Sequence, residues 1–267
     1  MPKPKFVEKA FHHMVDAIYA IWPQPLPAMH RVAQAKIVSH RGEHDNQNII
    51  ENTIPAFDKA AAAGVTGIEF DVRWTKDLHP VVFHDKDFQR LFNSSETLGE
   101  ITLKELTSRF PLIPTLKDTI TRYGRKLHLM VEIKAETYPD PVYQNEILKT
   151  LFARLTPRKD YHLITLTPHM FDLITFVSPT TFFPIAQLNF RKISQLTTER
   201  EYGGMFGHYL FVRDKMIRKH HHAKQQIGTG YIKSRKCLWR ELNRGVEWIF
   251  SNNAAELQSI CRAYIKG

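Results

Sequence analysis

Four short segments of this 267-residue chain combine apolar runs with charged side chains that can do chemistry. His40-Arg41-Gly42 closes one run, Glu69-Phe70-Asp71 lies inside a second, and Glu132-Ile133-Lys134 ends a third, while Pro80-Val81-Val82-Phe83 leads into His84-Asp85. Strand side chains alternate between faces, so Glu69 and Asp71 share one face, as do Glu132 and Lys134. Buried charge is costly unless compensated, so inward carboxylates call for a counter-ion. Glu69, Asp71 and Glu132 form an all-oxygen set suited to a hard divalent cation, Mg²⁺ or Ca²⁺, whereas zinc would favour Cys or more His. Beside such an ion, Arg41 and Lys134 make an anion clamp whose natural occupant is phosphate. His40 and His84 titrate near neutral pH, and one can take a proton while the other gives one. The chemistry expected is cleavage of a phosphate diester. Each motif alone is weak evidence, since a Glu-x-Asp on a strand is often a surface edge; the combination carries the reading.

These residues must be brought together by a scaffold, and the rest of the chain reads as one. Short apolar runs at 36–40, 67–73, 127–134, 161–166, 182–188, 208–212, 227–232 and 246–251 alternate with amphipathic segments such as 53–63, 142–155, 169–177, 214–225, 234–244 and 254–265. That alternation predicts an α/β fold, a (β/α)8 barrel of the TIM type, with active-site residues at the C-terminal ends of its strands. The run at 80–84 follows 67–73 too closely for a parallel crossover. It predicts a hairpin extension after strand two, around Lys76-Asp77-Leu78-His79, and a turn centred between residues 77 and 78 sets His84 opposite Asp71. Residues 5–22 space Phe11, Met14, Val15, Ile18 and Trp22 as one helical face, stopped by Pro23, Pro25 and Pro27. The expected organisation is therefore an N-terminal amphipathic helix with a Pro-rich connector over 1–35 and a phosphodiesterase barrel domain over 36–267.

Composition narrows the class. With 43% hydrophobic and 24% charged residues the chain has ample core for a globular fold, which excludes disordered, collagenous and coiled-coil classes. Two cysteines, Cys237 and Cys261, are too few for a disulfide framework and lack metal-ligand spacing, so a reducing cytoplasm is the expected compartment. No apolar run approaches a membrane span. The net charge is +10, and residues 190–245 hold 13 Lys and Arg against 4 Asp and Glu. Such an excess belongs either to solvated helix faces or to peripheral contact with an anionic membrane. A small-molecule diester is the expected partner, and nucleic acid is not. His220-His221-His222 point about 100° apart on a helix and do not converge on one metal.

The ordered motifs resemble those of the glycerophosphodiester phosphodiesterase family, of the phospholipase C-like superfamily, from Lys36 to about Ala255. The likeness includes His40-Arg41-Gly42, Glu51-Asn52-Thr53, Gly67-Ile68-Glu69-Phe70-Asp71-Val72, Pro80-Val81-Val82-Phe83-His84-Asp85, Ile113-Pro114-Thr115-Leu116 and Val131-Glu132-Ile133-Lys134. The resemblance implies His40 and His84 as the acid–base pair, Glu69, Asp71 and Glu132 as metal ligands, and Arg41 and Lys134 as phosphate contacts. It also implies attack by the glycerol 2-hydroxyl on phosphorus, giving a cyclic phosphate that water opens to glycerol 3-phosphate. Glu51 is left as a supporting residue or helix N-terminal dressing. Two departures stand out. The family's Trp-Thr-Val-Asn segment falls by count on Gly230, beside Tyr231, and the last strand ends Ser251-Asn252-Asn253 where the family has Thr-Asp. The open pocket this implies keeps a phospholipase D-like activity on lysophospholipid, or another lipid phosphodiester, as the second enzymatic reading. A non-catalytic protein binding anionic membrane or nucleic acid would explain the charge but not the inward carboxylates.

Overall fold

The computed structural model of the protein describes residues 19–267. The amphipathic helix expected over 5–22 lies outside the described residues apart from its end, where 19–21 are helical. The connector is not wholly extended, because a short helix, α1 (Met29–Ala33), precedes the barrel. This stretch is tied to the far end of the chain: Asn243 donates to the Pro25 carbonyl at 2.9 Å, and the Tyr264 hydroxyl donates to that of Pro27 at 2.8 Å.

Eight parallel strands close a ring: β1 (Lys36–His40), β2 (Gly67–Trp74), β4 (His128–Ile133), β5 (Tyr161–Thr165), β6 (Phe182–Ala186), β7 (Gly204–His208), β8 (Gln226–Gly230) and β9 (Trp248–Ser251). Pairing of β1 with both β2 and β9 completes the closure. A ninth strand, β3 (Pro80–Val82), pairs antiparallel with β2 outside the ring. The expected (β/α)8 barrel with a hairpin extension is therefore the observed fold. Most connections carry a helix: α2 (Ile54–Ala63) after β1, α6 (Pro141–Phe152) after β4, α7 (Phe190–Glu199) after β6, α8 (Asp214–His222) after β7, α9 (Arg235–Arg244) after β8 and α10 (Ala254–Lys266) after β9.

Three sequence expectations need correction. The strand placed at 208–212 is Gly204–His208. The apolar run Tyr209–Val212 instead turns over the rim, with the Phe211 amide donating to the His208 carbonyl at 2.9 Å. Gly204 and Gly207 belong to the strand, and a Cβ on Gly204 would collide with the Gln226 backbone of β8. Residues 169–177 form no α-helix. A 3₁₀ turn spans Pro168–Leu173, and the β-branched Ile174, Thr175 and Val177 that follow favour extended backbone. The hairpin register is off by one: Val72 pairs with Val82 and Trp74 with Pro80, so Phe83, not His84, meets Asp71. Five residues, 75–79, join the two strands, with the Leu78 amide closing on the Thr75 carbonyl and Leu78 left-handed at φ 58°, and an odd loop centres on Asp77.

Between the hairpin and β4 lies an insert in which α3 (Gln89–Phe92), α4 (Leu103–Arg109) and α5 (Leu116–Tyr123) appear. Capping boxes at Thr102/Glu105 and Thr115/Asp118 start the last two. Part of the insert has its own apolar cluster, Val81, Phe83, Phe88, Leu98, Ile101, Leu106, Phe110 and Ile113.

Inside the ring, period-two alternation sorts side chains into layers. Val38, Met130, Ile164, Phe183, Phe206, Trp248 and Phe250 pack into one apolar cluster at the waist. Two residues further along β1 and β4, on the same face, come His40 and Glu132. The chemistry-bearing residues therefore stand above an apolar plug, at the C-terminal ends of the strands.

Candidate active site

The turn after β1 sets the first wall. Arg41 and Gly42 are both left-handed, at φ 57° and 77°, and a Cβ on Gly42 would overlap Ala56 of α2. Only glycine suits both the dihedral and the close approach. The turn aims the Arg41 amide at Glu69, whose Oε2 lies 3.1 Å away, while the guanidinium reaches Glu51 Oε1 at 2.8 Å and lies 3.1 Å from Asp71 Oδ2. The Arg41–Asp71 contact is an ion pair without the alignment of a hydrogen bond.

The register of β2 against β4 puts Asp71 level with Glu132, and that of β1 against β2 puts His40 level with Glu69. The three carboxylates Glu69, Asp71 and Glu132 are buried, with one oxygen from each within 4.8 Å of the others. Lys134 Nζ bridges two of them, at 2.7 Å from Glu132 Oε1 and 3.1 Å from Asp71 Oδ1. Asn52, from the segment before α2, donates to Asp71 Oδ2 at 2.8 Å. Glu69 Oε1 is buried and has no hydrogen-bond partner among the described residues. A buried carboxylate oxygen left bare beside two further carboxylates is what a divalent oxygen-ligand site presents before the ion is counted. The residues present thus fit a hard cation.

The electrostatics follow. Burial, then Asp71 and Glu132, raises the Glu69 carboxyl well above its usual range. Burial raises Glu132 too, with Asp71 adding to it. Burial also opposes ionisation of Asp71, yet Arg41 and Lys134 override it and hold that carboxyl below the usual range. In the wider site, Glu69, Asp71, Glu132, Glu51 and Asp85 set five carboxylates against the three cations Arg41, Lys134 and Arg90. A divalent ion would balance that deficit.

His40 comes from the end of β1 and His84 from the hairpin after β2. His40 Nδ1 lies 2.7 Å from Asn252 Oδ1, so that nitrogen carries the proton and Nε2, 3.8 Å from Glu69 Oε2, is left as acceptor. Burial, with Arg41 close by, lowers the His40 imidazole to about 4. His84 Nδ1 donates to Asp85 Oδ1 at 2.7 Å, and Asp85 is held by Arg90 Nε at 2.6 Å. Burial lowers His84 as well, with Asp71 and Asp85 pulling the other way. Its carbonyl is anchored by Arg73 Nε at 2.7 Å. The hairpin thus returns His84 to the rim despite the one-residue shift in register.

All seven singled-out residues, His40, Arg41, Glu69, Asp71, His84, Glu132 and Lys134, converge on this rim. The sequence reading underrated Glu51, which is buried and gathers Arg41, Arg90 and Asn46. It missed Arg90 and the supporting role of Asn252. Arg90 sits between Gln89 and Leu91 on a one-turn insert helix outside the strand runs and carries no signal in the sequence. Gly230 leaves open space, with only Phe250 Cβ 3.9 Å from an added Cβ, and Tyr231 stacks on His208 with centroids 4.7 Å apart.

Comparison with known proteins converges on the same reading. The Glycerophosphoryl diester phosphodiesterase family matches residues 40–206, which include every one of these seven positions. The glycerophosphodiester phosphodiesterase of Caldanaerobacter subterraneus is 35% identical over 127 residues, 43% of this chain and 51% of that protein, so the matched part spans about half the length of the relative. The crystal structure of the glycerophosphodiester phosphodiesterase from Thermotoga maritima superposes with a TM-score of 0.70 at 20% identity, covering 84% of this chain and 97% of the other. An Oleispira antarctica phosphodiesterase in complex with the product sn-glycerol-3-phosphate superposes at 0.69 and 17% identity, covering 85% and 96%. These two likenesses bear on the fold alone, whereas the family match runs through more than half of the chain and through the rim just described; the chain therefore belongs to the glycerophosphoryl diester phosphodiesterase family.

Proposed function

We propose that the protein hydrolyses glycerophosphodiesters to glycerol 3-phosphate and an alcohol, with a divalent cation, Mg²⁺ or Ca²⁺, held by Glu69, Asp71 and Glu132. The observation that carries this reading is the bare, buried Glu69 Oε1 beside two further carboxylates, directly under two histidines with assigned tautomers. A cation bound there supplies charge neutralisation to nonbridging phosphoryl oxygens. Arg41 and Lys134 bind the same oxygens as donors. His40 Nε2, neutral and unprotonated near pH 7, takes the proton of the glycerol 2-hydroxyl as its oxygen bonds to phosphorus. The bond from phosphorus to the departing alcohol oxygen breaks, and that oxygen takes a proton from His84 Nε2. Asp85 stabilises the imidazolium form of His84, and Arg90 orients Asp85. Water then opens the cyclic phosphate with the two histidines in reversed roles. The Oleispira protein's complex with sn-glycerol-3-phosphate supports this product class.

Lipid diesters form a second reading, favoured by the side chains at the rim. Leu188, Tyr231 and Phe211 follow β6, β8 and β7 and are 85%, 59% and 40% exposed. Among the described residues no helix is long and apolar enough to cross a membrane. A panel of glycerophosphocholine, glycerophosphoethanolamine and lysophosphatidylcholine separates the readings. Release of choline with glycerol 3-phosphate supports the first and release from lysophosphatidylcholine the second. Release of phosphocholine would contradict both, because it places the cleaved bond on the other side of phosphorus.

A further inference from the structure

The opposite end of the barrel is also polar, which the proposed reaction does not use. Barrel interiors are filled by layers of branched apolar side chains. Here the bottom layer, at the N-terminal ends of the strands, includes Lys36, His128, His162 and Gln226, and Trp248 of the waist cluster reaches down to it. Contacts across the barrel join them. Lys36 Nζ lies 4.3 Å over the Trp248 ring, Trp248 donates to Gln226 Oε1 at 2.9 Å, and the His128 ring lies 4.7 Å from Trp248. Beneath this layer open two adjoining cavities of about 630 and 360 Å³, sharing Lys36 and Arg158. The larger is within the usual size of a small-molecule site.

Their lining is strongly cationic. Lys36, Arg125, Lys126, Arg158, Lys159 and Lys224 face two carboxylates, Glu201 and Asp160. Asp160 is already occupied by the Thr156 amide at 2.7 Å. Glu247, the carboxylate acting on Lys36, is held by His221 at 3.1 Å and by the Ile227 amide at 3.0 Å. Arg158, Lys126, Lys159 and Lys224 have no side-chain partner among the described residues.

Besides the exposed Glu201 carboxylate, a buried imidazole offers this ring of donors an acceptor. The Lys159 carbonyl lies 3.0 Å from His128 Nδ1 and requires the proton there. His128 Nε2 is then an acceptor, and at 2.8 Å it takes its hydrogen bond from His162 Nδ1. His162 Nε2 is left with a lone pair. His162 is 3% exposed, lines the larger cavity, and finds no partner for that nitrogen among the described residues. Cations beside an acceptor that opens on the cavity match an oxyanion that still carries a hydrogen, which inorganic phosphate does near neutral pH, a phosphate monoester does only in part and sulfate does not at all.

We propose that the cavity at the bottom of the barrel, between Lys36, Arg158, Lys224 and His162, binds a phosphate monoester or inorganic phosphate, separately from the site at the top. The test titrates inorganic phosphate, and sulfate at matched ionic strength, into the chelator-treated full chain while following the His162 ring resonances by NMR. Phosphate should give a saturable shift and sulfate none. Arg158→Ala with Lys224→Ala, both exposed positions, should weaken phosphate binding about tenfold, roughly 1.4 kcal/mol, and leave diester turnover unchanged. Arg41→Ala should leave the His162 shift as it is. An equal response to sulfate, or a phosphate response untouched by Arg158→Ala/Lys224→Ala, overturns the proposal. A parallel arm uses phosphatidate vesicles: competition between free phosphate and vesicles places a lipid headgroup in the cavity, whereas vesicle binding without any response to free phosphate marks a membrane-adsorbing basic surface and overturns the site.

Discussion

Glu69 occupies the least comfortable position in the molecule when no cation is present. It is buried, one oxygen is bare, and its two nearest carboxylates repel its charge. Glu69→Gln removes that charge with little change of shape. The variant should be at least as stable as the wild type under chelation, yet lose most of the rise in Tm that Mg²⁺ or Ca²⁺ gives the wild type; an undiminished rise would take Glu69 out of the ligand set. Glu51 has the opposite sign. Burial disfavours its charge, but Arg90, Arg41 and Asn46 hold its carboxyl down at about 2. A carboxyl depressed by folding contributes stability above its unfolded value near 4.5, and loses it as the pH falls from there through about 2. Glu51→Gln should flatten the acid limb of stability in that window, measured by urea denaturation against pH; an acid limb as steep as the wild type's would show that these ion pairs do not stabilise the fold. The residues that were legible in the sequence, His40, Glu69, Asp71, His84 and Glu132, are those where a charged group interrupts an apolar run. Arg90 and Asn52 act on the same site from segments outside the ring strands, where polar and apolar residues are mixed and one more polar residue carries no contrast.

At the scale of elements, the hairpin and its insert carry half of the acid–base apparatus. His84 and Asp85 leave β3, and Arg90 sits on α3, which packs through Phe88, Phe92 and Phe110. Phe88 and Phe110 stack with centroids 4.1 Å apart, and Phe88 is fully buried. Phe88→Ala should cost about 3–5 kcal/mol in urea denaturation if the insert unfolds together with the barrel. A loss of turnover in that variant at a urea concentration where the far-UV CD of the barrel is intact would show instead that the insert opens by itself. Seven of the eight ring strands could be placed from sequence within two residues, because each is an apolar run between helices of ordinary length. β7 could not, since Gly204 and Gly207 serve close packing against Gln226 and Phe190, and glycine reads as turn unless the neighbouring strand is known. The hairpin register failed by one residue for a related reason: the left-handed backbone at Leu78 is a conformation that a leucine does not advertise.

For the whole molecule, the barrel is a polar ring at each end of an apolar waist. At the top, Gly230 leaves open the space that resemblance to the family assigns to an indole. Gly230 is not left-handed, so Trp can be accommodated there without backbone strain. Gly230→Trp should raise the ratio of kcat/KM for glycerophosphocholine over lysophosphatidylcholine, because an aromatic wall of that size buries some 150–250 Å²; an unchanged ratio would mean that Tyr231 on His208 already closes that side. The proposed hydrolysis turns on whether the three carboxylates work through a cation. The most direct measurement is glycerol 3-phosphate release from glycerophosphocholine by the full chain, before chelation, after it, and after return of Mg²⁺ or Ca²⁺. The site as described predicts that turnover is abolished by chelation and restored by the ion, while full turnover by the metal-free protein would contradict it.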